Sequence, residues 1–151
     1  MENIVYTHSI IAPKTGGFVL PAVILLLLVF LLIGIMFSMR NTTITVTDKN
    51  LIIKSLFYGR TVPLEKINVN GLRLLNLNHD SEYNVKFRSN GIGLPGFYAG
   101  WMRLNNGNRS LVFLTDRTSV VLIPTAGYDI LFSTNDFNGI KTQLNRNGSG
   151  S

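Results

Sequence analysis

Leu111–Phe132, LVFLTDRTSVVLIPTAGYDILF, is the stretch on which the fold turns. Three apolar runs, Leu111–Leu114, Val120–Ile123 and Ile130–Phe132, are each too short for a helix and are rich in Val, Ile and Phe, as strands are. Asp116-Arg117 makes a tight turn between the first two runs, and Pro124 to Tyr128 bends the chain before the third. Directly downstream the period changes. Phe137, Ile140 and Leu144 fall on one face of a helix over residues 135–144. Ser133 stands three residues before Asp136 in the pattern of a capping box. The apolar stripe of that helix needs a sheet to dock on, and the strands before it supply one.

Upstream, the turn signal Asn105-Asn106-Gly107-Asn108 separates Trp101–Leu104 from Leu111–Leu114 and predicts a hairpin. Earlier still, Ile44 and Val46 alternate with Thr43, Thr45 and Thr47, Asp48-Lys49-Asn50 turns the chain, and Leu51–Lys54 starts a second strand. Tyr58-Gly59 turns it again before Arg60-Thr61-Val62, and a further apolar run spans Leu72 to Leu77. About seven short strands at close spacing, closed by one helix, predict a mainly β sandwich or small barrel.

The start of the chain has a different character. Phe18 to Met39 is 22 residues without a charge, between Lys14 and Arg40. As a helix it would reach about 33 Å, enough for a hydrocarbon core of roughly 30 Å. Sixteen of the residues from Phe18 to Phe37 are Leu, Ile, Val or Phe, which favours insertion by roughly 5–10 kcal/mol. Pro21 falls in the first turn, where its missing N–H costs little. A short N-terminal segment (1–17), a transmembrane helix (18–39), a β domain (41–144) and a flexible tail (145–151) are therefore expected. Arg40, Lys49 and Lys54 outnumber Lys14 and the free amine across the apolar stretch, which predicts a single-pass protein of the cell membrane with its C-terminal domain in the cytoplasm.

Composition narrows the chemistry. The absence of cysteine excludes disulfides, thiol catalysis and Cys-ligated zinc. From Arg40 onward there are thirteen Lys and Arg against seven Asp and Glu, an excess of six, spread singly rather than in a nucleic-acid-binding stripe. His8 and His79 lie on opposite sides of the apolar stretch, and the carboxylates are spread along the chain with no pair expected to divide acid and base roles. No catalytic residue, cofactor or metal is expected.

Three stretches resemble a known family. They are Thr47–Lys54 leading to Tyr58–Pro63, then Arg88–Gly96 followed by Gly100-Trp101, and finally Leu111–Asp116. Together they are similar to the bacterial pleckstrin-homology-like (bacterial PH) domains, in particular to members with an N-terminal membrane helix. That resemblance implies a barrel or sandwich of crossed sheets with a C-terminal helix over one open end, and it brings no catalytic or ligand residues with it.

Gly91-x-Gly93-x-x-Gly96 spells the dinucleotide fingerprint, but Pro95 interrupts it and no βαβ unit surrounds it. It reads instead as a loop shaped by glycine geometry. Arg88, Tyr98, Trp101 and Arg103 around it are candidate contacts for a partner or a lipid surface, with Trp101 as a core residue the competing reading. Lys49 and Lys54, in the first hairpin, are candidate lipid contacts of a thin kind. The expected partners are the bilayer, through Phe18–Met39, and a protein or further copies of this chain held there by strand edges. Recognition of anionic headgroups by the basic domain is the alternative, and no nucleic acid is expected.

Overall fold

The computed structural model describes residues 18–40 and 42–148. The segment 1–17, with Lys14 and His8, and the last three residues of the tail lie outside the described residues. Two compact units are present, divided between Met36 and Phe37.

The first unit holds most of helix α1, Val19–Arg40. From Phe18 to Ile35, every large apolar side chain is exposed. Among the described residues no helix is long and apolar enough to cross a membrane. A spanning helix over residues 18–39 is thus not established by the described residues.

The second unit is β-rich. Strands β1 (Thr43–Val46), β2 (Asn50–Lys54) and β3 (Arg60–Pro63) form an antiparallel three-stranded meander. The other six are β4 (Arg73–Leu75), β5 (Val85–Leu94), β6 (Phe97–Leu104), β7 (Arg109–Leu114), β8 (Val120–Pro124) and β9 (Asp129–Ser133). They form a second sheet in the order β4-β8-β9-β7-β6-β5. All its neighbours are antiparallel except β7 and β9, which run parallel. Helix α2 follows, Phe137–Gly148.

The three runs of the fold-deciding stretch are β7, β8 and β9, and each is buried almost throughout. The second sheet has a core on both faces, so its central strands need apolar residues at odd and even positions alike. On one face Trp101, Leu111, Phe113, Ile123, Ile130 and Phe132 meet Leu51, Ile53 and Val62 of the small sheet, together with Leu144 of α2. On the other, Met102, Leu104, Val112, Leu114, Leu122 and Leu131 are covered by Leu75 and Leu77, with Tyr83 and Val85 partly buried beside them.

Four expectations need correction. The strands number nine among the described residues, not about seven; the one without a strand signal is β5, whose residues alternate neither as a half-buried strand nor as a helix. The two sheets remain separate and do not close into a barrel. The capping box is also different. Ser133 ends β9, where its hydroxyl accepts the N–H groups of Thr115 and Asp116 at 3.0 Å and donates to the carbonyl of Asp116 at 2.6 Å. Asp136 is the cap, accepting the Gly139 N–H at 2.9 Å. Finally, α2 starts two residues later and ends four residues beyond the expected 135–144, so residues 145–148 are helical rather than tail.

Asp136→Ala removes that cap and is expected to cost about 1 kcal/mol, read as a lower thermal midpoint. Ser110 offers the opposite case. It is fully buried, and its hydroxyl has no hydrogen-bond partner. An unpaired buried polar group is a standing cost, so Ser110→Ala is expected to leave the midpoint unchanged or raise it.

Candidate functional site

The glycine string is not a loop. Gly91, Gly93 and Leu94 belong to β5, Leu94 pairs with Phe97, and Pro95-Gly96 is the two-residue turn between them. Gly96 has φ +72°, which suits glycine at a hairpin turn. β6 follows where a dinucleotide fold would place a helix, so no helix N-terminus faces the string.

Within this hairpin the critical glycine is Gly100. It sits opposite Gly91 with φ +111°, and a Cβ there would lie 2.7 Å from the Asn90 carbonyl oxygen and 2.8 Å from Cζ of Tyr58. The close approach lets Tyr58, from the turn after β2, reach the larger sheet. Gly100→Ala is expected to cost well over ~1 kcal/mol, seen as a depressed thermal midpoint. Gly93, in the middle of the string, does not have a positive φ. The nearest neighbours of a methyl group there are side-chain atoms, the Tyr98 ring and Arg88 Cδ at 3.1–3.2 Å, which can give way, so Gly93→Ala is the milder change.

The expected contact residues do not gather at one place. Trp101 and Tyr98 point to opposite faces of the second sheet: Trp101 belongs to the core shared with the small sheet, and Tyr98 packs on the other one. Trp101 is only 8% exposed. The Tyr128 ring meets it edge-on at 4.9 Å, and the guanidinium of Arg109 lies 4.2 Å from its ring centre, with Arg60 at 5.7 Å. Arg103 turns aside to donate to the Gly107 carbonyl at 2.8 Å. Lys49 and Lys54 bracket β2, about 17 Å apart at ~3.4 Å per residue, too far to grip one phosphate together.

Arg88 and Tyr98 do come together. They flank Gly93 in a shallow open groove of about 540 Å³ that also includes Val85, Lys86 and Phe87. Arg88 donates to the Gly93 carbonyl at 3.2 Å, which fixes the guanidinium along the strand. The groove runs beside β5, which is one edge of the six-stranded sheet. Residues Lys86 to Asn90 of that edge are all exposed, Phe87 at 53%. Its pairing to β6 shifts register between Val85 and Phe87 and again between Arg88 and Asn90. Such irregularities twist an edge and re-aim its side chains. Sequence reasoning found Arg88 but missed the edge, since a polar, glycine-bearing strand carries no alternation to reveal it.

Elsewhere the chemistry is spare. Among the described residues no group of three or more His, Asp or Glu side chains could hold a metal ion. Asp116, in the turn after β7, has its carboxyl held below the usual carboxylate range. The Thr118 backbone N–H is the main cause and the Thr118 hydroxyl the next. A lowered pKa stabilises the fold above the unfolded value of 3.8, and that contribution disappears as the pH falls through the folded value. Asp116→Asn is therefore expected to reduce stability at neutral pH and to matter less in acid, with a small amplitude because the group is exposed.

A family model described as "Bacterial PH domain" matches residues 42–148. No curated protein and no solved structure matches the chain.

Proposed function

The chain belongs to the bacterial PH domain family, and on that premise we propose that it is a membrane-anchored, non-catalytic interaction module. It holds a protein partner, or further copies of itself, at the bilayer. The observation that carries this reading is the outer edge of β5, ten residues long and exposed over much of its length. An edge strand offers unpaired backbone N–H and C=O groups to an incoming extended segment, and side chains beside it supply selectivity. Lys86 and Arg88, with no acidic residue in the strand, favour a segment that carries carboxylates.

The anchor in this reading is Phe18–Met39. Two things support it: 22 consecutive residues without a charge, and a continuous exposed apolar surface from Phe18 to Ile35. A helix apolar on all sides finds no stable place in water. The β domain then lies on the cytoplasmic side of the cell membrane, following the excess of basic residues after the helix.

Site-directed cross-linking tests the edge. With no native cysteine, Ser89→Cys and Gln143→Cys each give the full chain a single thiol for a photoreactive label. In membranes, position 89 on β5 is expected to yield a discrete adduct, whereas position 143 on α2 yields none. Equal labelling from both, or none from either, would sink the edge as the docking surface.

A further inference from the structure

The turn between β2 and β3 carries a feature unlike the rest of the domain. Among the described residues after Arg40, the exposed large apolar side chains are Leu56, Phe57, Leu74, Phe87 and Leu94. These five positions include just one pair of sequence neighbours, Leu56 at 53% and Phe57 at 62% exposed, together at a hairpin tip. The tip is well braced. Tyr58 turns inward onto the main core, close against Gly100, and the Phe57 ring rests edge-on against it at 6.4 Å. Folding has thus fixed two apolar side chains in water at the end of a stiff hairpin.

The surroundings indicate what covers them. From Lys49 to Leu64 there is no acidic residue, while Lys54 and Arg60, on either side of the tip, are basic. An apolar tip with cations behind it is complementary to an anionic bilayer surface, where apolar side chains enter the acyl boundary and lysines stay among the headgroups. The covalent path agrees. Thr43, the first residue of β1, pairs with Lys54, and the Thr42 hydroxyl lies 3.5 Å from that of Ser55. The chain therefore enters the domain beside this tip, and Met39 can be no more than about 14 Å along the chain from Thr43.

We propose that Leu56 and Phe57 dock into the headgroup–acyl boundary of an anionic bilayer, giving the domain a second membrane contact next to the point where the chain leaves the membrane. This rests on the anchor reading above, and the occupant is lipid, not protein. A tip contact would limit rotation of the domain about its tether and hold it in one orientation on the surface.

The experiment uses the full chain in vesicles of phosphatidylcholine with phosphatidylglycerol, at a high lipid-to-protein ratio. Phe57→Cys, and separately Asn106→Cys in the exposed turn between β6 and β7, receive an environment-sensitive dye. At position 57 the emission is expected to shift to the blue, to be quenched by brominated acyl chains and to be shielded from aqueous iodide. At position 106 the dye is expected to behave as it does in water. Iodide quenching at 57 equal to that at 106 overturns the proposal. So does a blue shift that brominated lipid leaves untouched, or one that fades as protein is diluted in lipid, since either means a protein surface covers the tip. Alkaline extraction of the same vesicles reads the anchor separately. A chain that is stripped off refutes the anchor, while a chain that stays with an aqueous tip refutes the tip alone. The lone Trp101, monitored by its own fluorescence, verifies that the labelled variants are folded.

Discussion

Trp101→Ala is expected to lower the stability of the β domain by roughly 3–5 kcal/mol without altering how the intact chain associates with membranes. The ring is 8% exposed and packs within the core between the two sheets, so its removal leaves a cavity lined by groups that cannot all collapse inward. Two further losses add to the cavity. Tyr128 gives up an edge-to-face contact at 4.9 Å, and Arg109 a cation–π contact at 4.2 Å, the latter about 0.5–2 kcal/mol depending on its solvation. A domain of this size has about 5–15 kcal/mol in total, so the variant stands close to its limit. Thermal melts of the full chain in detergent, followed by the β-sheet circular dichroism, give the measure. Vesicle flotation of the folded variant supplies the other half: an unchanged melt with lost flotation would move Trp101 from the core to the contact surface.

Much of this fold was legible where one physical constraint dominated. Buried central strands need apolar residues throughout, and Leu111–Leu114, Val120–Ile123 and Ile130–Phe132 announce themselves for that reason. The turn at Asn105–Asn108 and the helical spacing of Phe137, Ile140 and Leu144 are local signals, and the structure places a hairpin and a helix there. What stayed hidden depends on distant partners. β5 is an edge strand whose polar and glycine residues are tolerated because one side faces water, so its sequence resembles a loop. Ser133 and Asp136 have matching cap chemistry, and only the path of β9 decides that Asp136 takes the role. The proposed contacts at Leu56 and Phe57 were likewise invisible, since the same letters would read as core in a longer strand.

The same logic separates the residues of α2. Along its inner stripe Leu144 is fully buried, whereas Phe137 and Ile140 are only partly so. Against a reading from spacing alone, which treats the three alike and favours the largest ring, Leu144 is the greater contributor. Leu144→Ala is expected to cost roughly 2–5 kcal/mol and Phe137→Ala less, because a half-exposed ring leaves a smaller cavity and keeps part of its hydration in both states. The helix rests against the short turns at Leu64–Lys66 and Val69–Gly71 and against β1, so the loss should loosen the meander that carries the Leu56–Phe57 tip. Fluorescence of the single Trp101, whose core α2 helps to close, reports the melt directly. If Phe137→Ala proves the more damaging, the helix is held at its first turn and not at its last, and Asp136→Ala should then cost more than the ordinary 1 kcal/mol or so of a cap.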